Sequence, residues 1–446
     1  MGADFTQKER KQRSRVGYRV MKRTAWIYPS IIYLMGITIT LVYAFTTNYT
    51  EVSDTAREYL IYSTITQGGS WQALRNDVTG LFTIQSTCLT VTLFPALLQR
   101  LFSIEPLLFF KLYSSFIIPI LPVVVYFIAK RVTSNLHAFL VAVLFMGQVC
   151  FLQAPSMARS NMALLFFALS LLVILRPDLS KRVKFPILFL LATGMVISHY
   201  GTTFASLLLL GTAGVTVSLW WFVRRMLYYS LPRFSVTFRL PYRNSILIVC
   251  LSLIVGIVVW YGFVTHTPLT EGISFIERST SQEIKIRPEE VDAQEYKITE
   301  VNSRDKIIQA ALGVKNPDGD TTFTFSWATF VFNWLAVMLM SYGLLITLIK
   351  WRRIKAVPLE YLALSIIGYA TIVGVVVLPF PSRFYGIERT FYQMLVFLGI
   401  YFIFGCSDIA KRLKLKAYMV ILPVLLPYFY FTYTTGIIHS ITGNTP

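Results

Sequence analysis

The stretch Ser53-Asp54-Thr55-Ala56-Arg57-Glu58-Tyr59 sets a carboxylate, a guanidinium and a second carboxylate at i, i+3 and i+4, positions that share one face of a helix. A carboxylate in such a place can take a proton from a hydroxyl, and a neighbouring arginine can hold a phosphate through its planar fork. The stretch begins just past an apolar run, so its helix would lie against a membrane surface, within reach of lipid-borne phosphate. Plainer uses exist for each residue: Asp is a favoured helix cap, and Arg57 and Glu58 can be solvated surface charges.

Further ionisable residues stand at the ends of apolar runs, where charge is costly and tends to mark function. Arg159 lies in Gln153-Ala154-Pro155-Ser156-Met157-Ala158-Arg159-Ser160, and His199 with Tyr200 in Ser198-His199-Tyr200-Gly201-Thr202-Thr203. Arg383 and Arg389 bound Arg383-Phe384-Tyr385-Gly386-Ile387-Glu388-Arg389, and Lys111 lies near the outer end of the apolar run 107–129. Each also has a bland reading: an interfacial hydrogen-bonded histidine, arginines anchored to headgroups, a snorkelling lysine. The functional case rests on their meeting on one side of the membrane.

The chain has 446 residues, 55% of them hydrophobic and 14% charged, with many apolar runs of spanning length; this is the composition of an all-α polytopic membrane protein. Its net charge of +19 comes from short basic clusters between apolar runs, a topological pattern rather than a nucleic-acid surface. Cys88, Cys150, Cys250 and Cys406 are scattered without a CxxC pair, so neither a disulfide framework nor a thiolate metal site is indicated.

Spans are expected at 25–45, 107–129, 134–153, 160–176, 183–200, 202–223, 244–265, 326–349, 357–379, 389–408 and 417–436. The doubtful run is 84–103, moderately apolar, with several polar residues and Pro95 inside it. If it does not cross, the clusters at Lys8–Arg23, Lys130-Arg131, Arg176–Lys184, Arg224–Arg243, Lys350–Lys355 and Lys411–Lys416 share one side and hold 27 of the 41 Lys and Arg residues. If it crosses, every later cluster lands outside, against the positive-inside rule. The expectation is therefore about eleven crossings, N-terminus cytoplasmic, with 84–103 on or dipping into the outer interface. The chain divides into a basic N-terminus (1–24), a membrane module (25–265) with a first outer loop at 46–106 and interfacial helices in it, an outer loop (266–325) holding half of the acidic residues, and C-terminal membrane helices (326–446). The loop Arg224–Arg243, with interleaved aromatics, reads as an interfacial segment touching anionic lipid.

On these residues and this order of parts, the chain resembles the GT-C superfamily of integral-membrane glycosyltransferases. Asp54-Thr55-Ala56-Arg57-Glu58-Tyr59 is similar to the acidic motif of the protein mannosyltransferase and aminoarabinose transferase types, and the turns bearing Arg159, His199-Tyr200 and Arg383–Arg389 resemble uncharacterised archaeal and bacterial membrane families placed near that superfamily. The resemblance implies a polyprenyl-phosphate sugar as donor and a glycan, lipid or protein hydroxyl as acceptor, at the outer face of the cell membrane. It implies an inverting transfer with Asp54 as general base, and donor contacts from Arg57, Glu58, Arg159, His199, Tyr200, Arg383 and Arg389. Arg159 is followed by Ser160-Asn161, not by the second acidic motif of oligosaccharyltransferases, so no metal or other cofactor is implied.

Two rivals stand beside this reading, the first of which also uses outer-face arginines and a histidine. An O-antigen-type polymerase or ligase would use a polyprenyl-diphosphate glycan and depend on His199. A lipid-linked-sugar flippase would place charge at mid-span on broken, repeated helices, and no such repeat or charge is visible.

Overall fold

The structure, a computed structural model, describes residues 26–46, 53–68, 83–230, 243–265, 323–350, 357–377 and 387–413. Among these, every element is a helix. Six stretches are long and apolar enough to cross a membrane: Ile27–Phe45, Pro106–Ala129, Ala154–Ile174, Tyr200–Val223, Asn244–Val264 and Glu388–Arg412. The chain is thus a helical membrane protein. The other expected spans fall on the helices Asn135–Met146, Lys181–Val196, Phe323–Lys350 and Leu359–Val377. The span at 417–436, the basic N-terminus and 266–322 of the acidic loop lie outside the described residues.

In chain order the elements are α1 (Ile27–Thr46), α2 (Ser53–Gly68), the short α3 (Thr83–Ser86), α4 (Leu93–Phe102), α5 (Pro106–Ile117), α6 (Ile120–Ala129), α7 (Asn135–Met146), the short α8 (Val149–Leu152), a 3₁₀ turn (Ala154–Met157), α9 (Ala158–Ile174), α10 (Lys181–Val196), α11 (Tyr200–Ser230), α12 (Arg243–Gly256, continued by a π-helical stretch Ile257–Val264), α13 (Phe323–Lys350), α14 (Leu359–Val377) and α15 (Ile387–Arg412). Local chemistry explains several boundaries. Glu105 caps α5, accepting from the Leu107 and Leu108 amides at 3.0 and 2.6 Å, with Pro106 at its first position. Ser134 caps α7 by accepting from the His137 amide. The expected span at 107–129 is broken between α5 and α6 at Ile118-Pro119, where proline supplies no amide hydrogen. The expected loop Arg224–Arg243 starts as a continuation of α11 to Ser230.

α15 is the most enclosed of the long helices and packs against α13, α14, α6 and α7. Gly343 of α13 and Gly405 of α15 allow the closest approach: a Cβ at either would overlap a backbone carbonyl of the facing helix, Tyr401 or Leu339. α9 lies against α6, α10 and α11, and α1 against α5, α6 and α7.

The helix ends sort into two groups. At one end, Lys184 donates to the Ile174 and Arg176 carbonyls at 2.8 and 3.1 Å, Arg176 pairs with Asp178, and Arg131 acts electrostatically on Asp178. At that same end Asp408 is held between Lys350 and Arg412, both at 2.8 Å, while Lys411 acts on His137 beside the start of α7. Four of the basic clusters therefore sit together.

The opposite end carries α2, α3 and α4. Arg100 of α4 donates to the Ile65 and Thr66 carbonyls of α2 at 2.9 and 3.2 Å, and the Tyr62 hydroxyl donates to the Pro106 carbonyl at 3.1 Å. The doubtful run thus returns to the end from which it started. α4, with 10 residues, reaches only about 15 Å, half of a hydrocarbon core. Its Phe94, Leu97, Leu98, Leu101 and Phe102 form an exposed apolar stripe while Pro95 and Ala96 face the protein, the pattern of a helix lying along a membrane surface.

Candidate functional site

α2 is seated on the start of α9 and the 3₁₀ turn before it by two contacts made one helical turn apart. The Thr55 hydroxyl, fully buried, donates to the Ser156 carbonyl at 2.9 Å. Glu58, 1% exposed, pairs through Oε1 with Nε of Arg159 at 2.7 Å, and the Arg159 side chain is itself only 11% exposed. A carboxylate so deeply buried is tolerable as an ion only when paired. Tyr59, next along, packs edge-on against Phe110, with ring centroids 5.4 Å apart.

Arg159 also reaches Cys88, in the turn between α3 and α4. Burial pushes that thiol up to about 11 against the pull of Arg159, so at neutral pH it is a thiol and not a nucleophilic thiolate.

His199 occupies the turn between α10 and α11 and is 5% exposed. The Thr202 amide donates to its Nδ1 at 3.2 Å, and the Thr202 hydroxyl lies 2.9 Å from the same nitrogen. Nδ1 is an acceptor, so the ring proton sits on Nε2. Burial first, then the charges of Arg159 and Arg389, hold the imidazole well below its ordinary pKa and therefore neutral. Tyr200 is half-buried beside it, with ring centroids 5.2 Å apart.

A narrow cleft opens where the first turns of α9, α11 and α15 meet, with Ser160, Asn161, Thr202, Arg389, Tyr392 and Gln393 among its lining. The buried Asn161 amide donates to the Met157 carbonyl at 3.1 Å, and its oxygen accepts from the Tyr392 hydroxyl at 2.9 Å. Gln393 donates to the Ser206 hydroxyl at 3.0 Å. Three helix N-termini thus converge on a place flanked by Arg159 and Arg389, with Glu58 as the buried carboxylate nearby. Helix starts contribute partial positive charge, while Glu58 pairs with Arg159 and Glu388 stands beside Arg389, so each arginine has a carboxylate close by.

Of the residues singled out by sequence, Glu58, Arg159, His199 and Arg389 are brought into contact or electrostatic reach of one another, with Tyr200 against His199. Arg57 is half-buried on α2 and forms no ion pair among the described residues. Asp54 lies in the first turn of α2, one residue before Thr55. Arg383 lies outside the described residues. The Lys111 ammonium sits 5.8 Å from the Phe45 ring centroid, a cation–π contact that suits an anchor better than a site.

Sequence reasoning passed over Asn161, Thr202, Tyr392 and Gln393. The signal for the amides was their place inside apolar spans, where a buried polar group demands partners. Among the described residues, no three His, Cys, Asp or Glu side chains are grouped as metal ligands. No protein-family model and no curated protein matches the chain.

Proposed function

We propose that the protein is a membrane glycosyltransferase that moves a sugar from a polyprenyl-phosphate donor to an acceptor hydroxyl, with inversion, at the outer face of the membrane. What supports this reading is that Arg159 and Arg389 both act electrostatically on a buried, neutral His199, beside a narrow cleft lined from the first turns of three helices, at the end of the bundle where α2 carries Asp54. An anionic leaving group is the substrate feature that such a region rewards.

In the proposed step Asp54 takes the proton of the acceptor hydroxyl as its oxygen attacks the anomeric carbon. The bond from that carbon to the phosphate oxygen breaks, and the electron pair leaves with the polyprenyl phosphate. The arginines and the Nε2 hydrogen of His199 stabilise the departing charge, so no second carboxylic acid is required. Arg57, Tyr200 and Arg383 are assigned to donor contacts on the same resemblance-based ground. The matching topology has eleven crossings, a cytoplasmic N-terminus and an outer site.

The test is transfer by purified enzyme supplied with polyprenyl-phosphate sugars. Asp54→Asn should abolish turnover while leaving the protein folded; retained turnover would remove Asp54 from its assigned role. The rival use of a polyprenyl-diphosphate glycan draws support from the position of His199 between two arginines. Its Nδ1 is occupied by the Thr202 amide, which makes His199 a donor rather than a base. Severe loss in His199→Ala with Asp54→Asn tolerated would favour that rival.

A further inference from the structure

We propose that Glu58 is a positioning residue, which holds the Arg159 guanidinium in register with Asp54 so that one helix sets both the base and the cation serving the leaving phosphate. The inference rests on the transfer reading above, and it gives Glu58 no contact with substrate.

Three observations carry it. First, Glu58 is almost wholly enclosed and grips Arg159 through Nε, at 2.7 Å. Nε is the guanidinium nitrogen nearest the side-chain stem, so this contact orients the plane of the whole group rather than one tip of it. Second, the Thr55 hydroxyl ties the preceding turn of the same helix to the Ser156 carbonyl, in the turn that leads into α9. Two ties one turn apart restrain both the sliding and the rotation of α2 against α9, where a single tie would leave a pivot. Third, Asp54 is joined directly to Thr55 and lies four residues before Glu58, about 6 Å along the helix axis. Its backbone is therefore fixed relative to Arg159 by the two contacts that fix α2.

A carboxylate that merely stabilised the fold would affect stability and leave the division between kcat and KM untouched. One that works through Arg159 should matter only while Arg159 is present. Steady-state kinetics with a polyprenyl-phosphate sugar would be compared in the wild type, Glu58→Gln, Glu58→Asp, Arg159→Gln and the Glu58→Gln/Arg159→Gln double variant. Misplacement of a reacting group by about 1 Å can cost on the order of 100-fold. Glu58→Gln is accordingly expected to lower kcat by about 10- to 100-fold with donor KM largely unchanged. Glu58→Asp should recover part of that loss, and the double variant should be no slower than Arg159→Gln alone.

Wild-type kcat in Glu58→Gln, or a double variant whose loss equals the product of the two single losses, would overturn the proposal. If Glu58→Gln does not fold, Glu58→Asp takes its place: it keeps the charge but draws it back by one methylene, and wild-type kcat in that variant would equally overturn the proposal. A wild-type protein inert toward every polyprenyl-phosphate sugar overturns the transfer reading and this inference with it. An active wild type that is indifferent to Glu58 overturns this inference alone.

Discussion

At the scale of single residues, the two cationic side chains around His199 are held differently. Arg159 is gripped by Glu58, whereas Arg389 lines the cleft from the first turn of α15. Arg389→Gln is therefore expected to raise the donor KM by about tenfold or more, and Arg389→Lys to recover it only in part, because a lysine cannot reproduce the fork of hydrogen bonds; donor-saturation curves check both. His199 gives a pH dependence. Its folded pKa lies below the ordinary value of about 6.5, so the unfolded chain binds a proton more readily than the folded one. Above that value the difference costs nothing, and stability falls as the pH drops below it. The melting temperature in detergent should fall more steeply between pH 7 and pH 5 for the wild type than for His199→Gln. Equal slopes would show that folding does not lower the pKa of His199. Little of this was legible in sequence. Asp54, Arg57 and Glu58 were visible as one helix face, yet the partner of Glu58 stands 101 residues away, a pairing that spacing cannot reveal.

At the scale of elements, the helices follow from the apolar runs, because each run must satisfy its backbone internally in lipid. Ten of the eleven expected spans meet a described helix, and in the doubtful run 84–103 the polar residues Gln85, Ser86, Thr87 and Thr90 are buried in a segment of short helices and turns. The π-helical stretch Ile257–Val264 was not legible, since apolar composition runs straight through it, whereas the breaks at Ile118-Pro119 and before Val149 coincide with Pro119 and with Gly147-Gln148, breaker signals that the run of apolar residues overshadowed. Two contacts make element-level predictions. Thr55→Val removes the tie to Ser156 and should cost about 1 kcal/mol of stability, read from urea or thermal unfolding, while weakening the seat of α2. Gly343→Val forces a side chain into the Tyr401 backbone across the α13–α15 contact and should cost about 1–3 kcal/mol or more; a variant as stable as the wild type would show that the two helices do not approach so closely.

At the scale of the whole molecule, the separation of charge organises everything else. Four basic clusters collect at one end of the bundle, and Glu58, Arg159, His199 and Arg389 at the other, which is the arrangement that the distribution of Lys and Arg along the sequence anticipated. The proposed topology puts residue 104 outside and residue 413 inside. Alkaline phosphatase fused after Ile104 should accordingly be active and after Leu413 inactive, and the reverse would invert the membrane assignment. The transfer reading itself is tested most directly by reconstituting the protein with matched sets of polyprenyl-monophosphate and polyprenyl-diphosphate sugars and following the released lipid and the product anomer by mass spectrometry and NMR. The account predicts release of polyprenyl monophosphate from the monophosphate donors only, with inversion at the anomeric carbon and no turnover in Asp54→Asn; consumption of diphosphate donors alone, or a product of retained configuration, would contradict it.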